Sequence, residues 1–342
     1  MIRAGVFGAS GYIGGELLRL LLGHPEVDIV SAVSGRLAGR RVDTVHPNLR
    51  GCTDLLFCAP ADLADCDVVF LAVSPATAME LVPELDGRAP VLIDLSGGFR
   101  LRDPEVFARY YGEHSSPGLL DSFVTGWPER HRKELAEADR ISMPGCMANA
   151  ATLALYPLAA EGLIRPDVTI DGRVGSSGSG ATADAMNLHA ERSGAMRVFK
   201  PQRHRHEAEV AQSTGLTVRM SATGVEAVRG VQVLIRVQAA EGVSLGEREL
   251  RKVYRNHYGD EPFVRIVVQK RGLYRLPEPK ILSGSNFCDI GFSTDEEDGS
   301  AVLVAALDNL VKGGSGNAVQ TMNIRFGMPE TLGLGFTGLH PV

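Results

Sequence analysis

Five cysteines in 342 residues, Cys52, Cys58, Cys66, Cys146 and Cys288, form no CxxC pair, and the nine histidines show no cluster at zinc spacing. An odd count without such pairs argues against a disulfide framework and a structural metal, and it fits a reducing cytoplasm. Excess positive charge is missing as well: 35 Lys and Arg stand against 41 Asp and Glu, a net charge of −6. No global positive field is there to hold a phosphodiester backbone or an anionic lipid surface, which sets nucleic acid and membrane aside as partners. The long uncharged run at 141–160 is broken by Pro144, Gly145, Asn149 and Pro157, so it reads as buried interior rather than a membrane span. The N-terminus passes almost directly into an apolar strand and a glycine turn, and no cleavable leader is expected there.

What is present describes a globular protein. Hydrophobic residues make up 44% and charged residues 22%, with mean hydropathy +0.01, which excludes a disordered chain and a coiled coil. At about 150 residues per domain the length is worth roughly two domains. Residues 2–7 read as a short buried strand, 8–14 as a glycine turn, and 16–22 as a helix ending at Gly23. The apolar runs 27–33, 68–73 and 91–95 are strand-length and separated by crossover-sized stretches, the pattern of a parallel α/β sheet. This predicts a doubly wound domain over 1–145. Beyond it, 168–174, 217–223, 230–237 and 301–307 read as strands with fewer helices between them, an α+β domain over 146–308. Residues 309–326 return to helix-like composition, and 309–342 are expected to come back to the first domain.

The turn Gly8-Ala9-Ser10-Gly11-Tyr12-Ile13-Gly14 follows a strand and opens a helix, the setting in which a glycine fingerprint holds a pyrophosphate on helix N–H groups. Its spacing is GxxGxxG, and the competing reading is a merely tight βα turn. Gly8, Ser10, Gly11, Tyr12 and Ile13 are its candidate cofactor contacts. Where a carboxylate would accept a free ribose 2′-OH, the end of the second strand carries Ser34-Gly35-Arg36, with Arg40 and Arg41 beyond. Ser34 and Arg36 can donate to a 2′-phosphate that a carboxylate would repel, which predicts NADP(H) over NAD(H). A solvated basic loop is the alternative.

Of the cysteines only Cys146 has a telling position, in Met143-Pro144-Gly145-Cys146 ahead of an apolar helix-length segment, 147–158. A thiol at a helix N-terminus feels the positive end of the dipole, which favours the thiolate; inert packing is the other reading. The densest imidazole cluster is Arg203-His204-Arg205-His206. In an extended segment both histidines would share a face, one moving a proton while Arg203 and Arg205 bind an anion. A basic surface loop is the plain alternative. A hydride cofactor, an activated thiol, an imidazole and anion-binding arginines together suggest reduction of an activated acyl group through a thioester. Phosphate as the leaving group would explain the arginines.

These residues stand in an order that resembles the N-acetyl-γ-glutamyl-phosphate reductase family, whose chemistry is shared with aspartate-semialdehyde dehydrogenase. The resemblance runs through GASGYIGGELLRLLLGHPEV at 8–27, HPNLRG at 46–51, FRLRDP at 99–104, PGC at 144–146, HRHEAEV at 204–210, VRG at 228–230, GSNFCDIG at 284–291 and DNLVKGGSGNAVQTMN at 308–323. It implies a Rossmann-type domain joined to an α+β catalytic and dimerisation domain, with Cys146 as the acyl-enzyme nucleophile and His204 as the acid/base. It also implies that Ser177, Gly178 and Asn309 lie near the nicotinamide, that Ser74-Pro75 follows a cofactor-lining strand, and that subunits pair through the second domain's sheet as a homodimer or homotetramer. Arg203, Arg205, His206 and Arg100 are the candidate substrate contacts.

Departures from that pattern bear on the substrate. Met147-Ala148-Asn149 stands where the common glutamyl enzyme has Tyr-Pro-Thr, Ser96-Gly97-Gly98-Phe99 and Ser177-Gly178-Ser179-Gly180 vary two loops, and the segment 269–280, QKRGLYRLPEPK, is longer. The long segment and the ending Gly338-Leu339-His340-Pro341 look like the relatives whose aminoadipyl or glutamyl phosphate is tethered to a small acidic amino-group carrier protein. The ordinary N-acetylglutamyl-phosphate reductase is the alternative, and a silent NADP(H)-binding sensor the rival outside enzymology. Lys270, Arg271, Arg275 and Lys280 form a basic stretch that complements an acidic carrier, unless it is only a solvated face.

Overall fold

The computed structural model describes all 342 residues, which divide into two compact units: Met1–Pro144 with Gly314–Gly335, and Gly145–Gly313 with Phe336–Val342. The returning stretch therefore begins at Gly314, and the last seven residues lie in the second unit.

The first unit is built on seven strands: β1 (Ile2–Phe7), β2 (Val27–Val33), β3 (Phe57–Cys58), β4 (Val68–Leu71), β5 (Val91–Asp94), β6 (Val124–Thr125) and β7 (Arg140–Ser142). They lie in the order β3-β2-β1-β4-β5-β7-β6, every neighbouring pair parallel. β4 and β5 are buried at every position, as strands covered on both faces must be. Helices α1 (Tyr12–Leu22), α2 (Pro75–Leu85), α3 (Pro104–Tyr111) and α4 (Pro128–Glu137) connect them. Chain order reverses between β1 and β4, the switch point beside which doubly wound sheets bind ligands at the carboxyl ends of their strands. The expected helix at 309–326 is a π-helical turn, Val311–Ser315, followed by α9 (Gly316–Arg325), which packs against α4 and α1.

The second unit holds β8 (Asp167–Val174), β9 (Arg197–Lys200), β10 (Thr217–Gly224), β11 (Val231–Gln238), β12 (Val264–Ile266), β13 (Cys288–Asp295) and β14 (Ser300–Leu307). Their order is β12-β13-β14-β11-β8-β10-β9, with β8/β10 and β12/β13 parallel and the rest antiparallel. Alternate residues of β11 are buried, because α5 (Cys146–Ala160) covers one face only. The other helices are α6 (His189–Arg192), α7 (His206–Thr214) and α8 (Glu247–Tyr258).

The run 141–160 is interior, as its composition suggests: most of α5 is buried, and no helix is long and apolar enough to cross a membrane. Pro157 has no N–H for the Leu153 carbonyl, and α8 makes good the loss. Tyr258 Oη donates to Leu153 O at 2.8 Å, and Tyr254 Oη to Ala154 O at 2.6 Å. Burial raises the Tyr254 phenol above its usual value, so it remains a donor at any working pH.

Candidate active site

In the first unit the glycine turn meets the switch point. Gly8 has φ +71°, and a Cβ there would collide with the Ala72 carbonyl just past β4, so the position takes only glycine. Gly11 caps α1 without a side-chain bond, which leaves the first N–H groups of that helix to an external anion. Ser10, Gly11 and Ile13 are half-buried and Tyr12 is exposed. Ser10 Oγ lies 2.9 Å from Ser34 Oγ, joining the turn to the end of β2. From outside the expected set, His46 donates Nε2–H to the Ala9 carbonyl at 2.8 Å and steadies the turn.

The basic residues after β2 divide. Arg41 is tied to Asp43 and Asp54 at 2.8 and 2.9 Å, whereas Arg36 and Arg40 are exposed and carry no ion pair. Ser74 caps α2 through Thr77 N–H at 3.2 Å, with Pro75 in the first helical position at the carboxyl end of β4. These features fit a dinucleotide: a Cβ-free approach, uncapped amides and hydroxyls at the second strand's end. Arg100 is held at the backbone, Nε to Met143 O at 2.8 Å and Nη2 to Leu95 O at 3.1 Å.

In the second unit Cys146 is the first residue of α5, half-buried, with Gly145 as its N-cap. The thiol therefore sits at the positive end of the helix dipole. Crowding around it is severe: the space a side chain at 145 would fill is occupied by the His206 ring, and that at 313 by the Cys146 side chain itself. Asn149 is 2% exposed and donates Nδ2–H to Lys312 O at 2.9 Å, fastening α5 to the π-helical turn. Met147 and Ala148 are buried too, so all three residues that depart from the glutamyl pattern pack in the interior.

The HRH segment is not extended. Arg203 has φ +55°, Arg205 is already helical and His206 opens α7. The two imidazoles still meet, edge to face with centroids 4.6 Å apart, because the turn folds them together. The His206 amide donates to His204 Nδ1 at 3.3 Å. Both rings are buried while Arg203 and Arg205 are exposed. Burial, then the Arg205 and Lys200 charges, pull the His204 pKa down to about 4.

Ser177, at 7% exposure, and Asn309, at 3%, are bonded to each other, Asn309 Nδ2 to Ser177 Oγ at 3.0 Å, and Asn309 Oδ1 accepts Gly230 N–H at 2.7 Å. Gly178 is exposed beside them. Sequence reasoning missed Glu209, whose Oε2 accepts Gly145 N–H at 2.8 Å. Its only trace in the sequence is an acidic pair, Glu207 and Glu209, at the start of an otherwise small-residue helix.

Residues 3–138 match the family described as semialdehyde dehydrogenase, NAD binding domain, and residues 146–309 the semialdehyde dehydrogenase, dimerisation domain. The chain is 45% identical over 340 residues to the LysW-L-2-aminoadipate 6-phosphate reductase of Deinococcus radiodurans, covering 98% of this chain and 97% of that one. It is 48% identical, over the whole of both chains, to the putative LysW-L-2-aminoadipate/LysW-L-glutamate phosphate reductase of Thermococcus kodakarensis. Among solved structures, aspartate semialdehyde dehydrogenase II of Vibrio cholerae superposes with a TM-score of 0.72, covering 96% of this chain and 99% of that one. At 15% identity that likeness speaks for the fold alone. The chain therefore belongs to the semialdehyde dehydrogenase family, on the branch of the LysW-aminoadipate and LysW-glutamate phosphate reductases.

Proposed function

We propose that this protein reduces an acyl phosphate, an aminoadipyl or glutamyl phosphate carried on a small acidic amino-group carrier protein, to the semialdehyde with NADP(H). The observation that carries the reading is Cys146 at the first position of α5, with the buried His204–His206 pair locked against its cap.

The Cys146 thiolate attacks the acyl carbon. The carbon–oxygen bond to phosphate breaks, phosphate leaves with the bonding pair, and a thioester remains on sulfur. With Nδ1 turned to the His206 amide, His204 offers Nε2 to the reacting groups. Cys146 gives up one proton in forming the thiolate and the departing phosphate gains one, so acylation needs no net proton. Exposed Arg203 and Arg205, with Arg100, are the proposed phosphate and substrate contacts. The residues of the glycine turn would hold a nicotinamide dinucleotide, which in its reduced form would supply the hydride needed to bring the thioester to the aldehyde level. Collapse of that carbon then expels Cys146 as thiolate and frees the semialdehyde.

Gly8, Ser10, Gly11, Tyr12, Ile13, Ser74 and Pro75 are assigned to the dinucleotide, and Ser177, Gly178 and Asn309 to its nicotinamide end. Ser34 and the unpaired Arg36 are assigned to a 2′-phosphate, which favours NADP(H) over NAD(H). For the carrier, the exposed Lys270, Arg271, Arg275 and Lys280 flank Leu273, which is 87% exposed; charge and an apolar contact together suit docking of an acidic domain. Self-association as a homodimer or homotetramer is assigned to the second sheet, whose edge strand β9 exposes Val198 and Phe199 near Met196 and Leu188.

The test is turnover of purified protein with carrier-linked aminoadipyl phosphate, carrier-linked glutamyl phosphate and N-acetylglutamyl phosphate, beside Cys146→Ala. Carrier-linked substrates are reduced, the acetylated one is not, and the variant binds cofactor without turnover. Preference for the acetylated substrate, or substantial activity without the sulfur, overturns the proposal.

A further inference from the structure

We infer that Glu209 is a positioning residue for the Cys146 nucleophile, its buried carboxylate bonded to the Gly145 amide and lying beside the His206 ring. The inference rests on the acyl-phosphate reductase reading above and adds to it a residue that does not touch substrate.

The need for such a residue begins in the sequence of α5. A helix start can be closed by a capping box, in which a Glu or Gln at the third helical position reaches back to the N–H of the cap residue. Here the cap is Gly145 and the third helical position is Ala148, so α5 has neither half of the box. Glu209 supplies the missing half from another helix, accepting Gly145 N–H on Oε2 at 2.8 Å. Its other oxygen, Oε1, stands 3.9 Å from His206 Nε2. The His206 ring fills the space a side chain at 145 would need, and it meets His204 edge to face. One carboxylate thus spans the residue before the nucleophile and the neighbour of the proposed proton carrier.

Two further observations fix the role as positional. Glu209 is 5% exposed, and a polar group so buried needs a bonded partner. Glu207, two residues earlier, turns the other way and accepts Met220 N–H at 3.1 Å on β10. The start of α7 is therefore bracketed, one glutamate to the sheet and one to the nucleophile's helix.

The experiment compares Glu209→Ala, Glu209→Gln and Glu209→Asp in the full chain, reading kcat and KM for the acyl phosphate and hydrogen exchange of the backbone around 144–150. Glu209→Ala lowers kcat by about 30-fold with KM within about threefold, as expected for lost alignment rather than lost binding. Glu209→Gln keeps an acceptor oxygen and stays within about fivefold of the parent kcat. Exchange at Gly145 quickens about tenfold or more in the Ala variant and is unchanged in the Gln variant. Should the Ala variant not fold, Glu209→Asp decides: withdrawing the oxygens by one methylene lowers kcat by about tenfold. Parent-like kcat in the Ala or Asp variant, a Gln variant as impaired as Ala, or a loss confined to KM overturns the inference. Absence of turnover in the parent protein defeats the functional reading instead, and the exchange measurement then judges Glu209 by itself.

Discussion

Gly145→Ala perturbs the site without touching a reacting group. A methyl at 145 would stand 2.6 Å from His206 Cδ2 and 2.8 Å from Cε1, closer still to Nε2, where ordinary contact begins at 3.4 Å. Set by Nε2, the nearest ring atom, the ring or the start of α5 must give way by about 1 Å. Neither moves freely, because His206 is packed on His204 and the Gly145 amide is held by Glu209. Overpacking of this kind costs about 1–3 kcal/mol of stability. A displacement approaching 1 Å in an aligned site costs on the order of 100-fold in rate, or about 2.7 kcal/mol of transition-state stabilisation. Steady-state kinetics should therefore show kcat falling about 100-fold with the Kd for cofactor little changed, since the glycine turn lies in the other unit, and thermal melting should fall by several degrees. A variant with parent-like kcat and melting temperature would refute the packing argument.

Four further outcomes follow from particular contacts. Arg36→Ala should weaken NADP(H) about fivefold, the worth of roughly 1 kcal/mol for an exposed charge-assisted bond, and leave NAD(H) unchanged in titration; equal losses for both reject the 2′-phosphate assignment. Reversing Lys270 and Arg271 to Glu should raise KM for carrier-linked substrate at low salt, the difference shrinking as salt screens it, and an unaltered KM rejects the docking surface. His204, with its folded pKa near 4 against about 6.5 unfolded, contributes stability that is whole above pH 6.5 and is lost as pH falls towards 4, about 3 kcal/mol in all. Urea unfolding across that range and the imidazole NMR titration check it, and a midpoint near 6.5 contradicts it. Tyr258→Phe strips the Leu153 carbonyl of the donor that replaces Pro157 and should cost about 1–3 kcal/mol in urea unfolding; a loss below about 0.5 kcal/mol would mean that another donor reaches it.

The parts of the site that were legible in the sequence are those whose chemistry is local. A strand, a glycine turn and a helix are contiguous, so residues 2–22 disclosed all three elements. Cys146 was legible for the same reason, since a cap and a first helical residue are neighbours in the chain. The HRH segment was read correctly as a cluster and wrongly as extended: the positive φ of Arg203 and the helix beginning at His206 cannot be told from alternation over four residues. The short strands β3, β6 and β12, of two or three residues, carry too little pattern to be read at all.

By itself the sequence determined the periodicities, the glycine turn and the residue types able to attack an acyl carbon, because each depends on neighbours a few residues apart. Tertiary structure alone decided that Arg41 is spent on Asp43 and Asp54 while Arg36 is not, and that Asn149 fastens α5 to the turn at 311–315. It alone brought Glu209 to the Gly145 amide, 64 residues away along the chain. The reason is physical: a hydrogen bond depends on distances of about 3 Å between atoms, and the packing of the whole unit sets which distant atoms come that close.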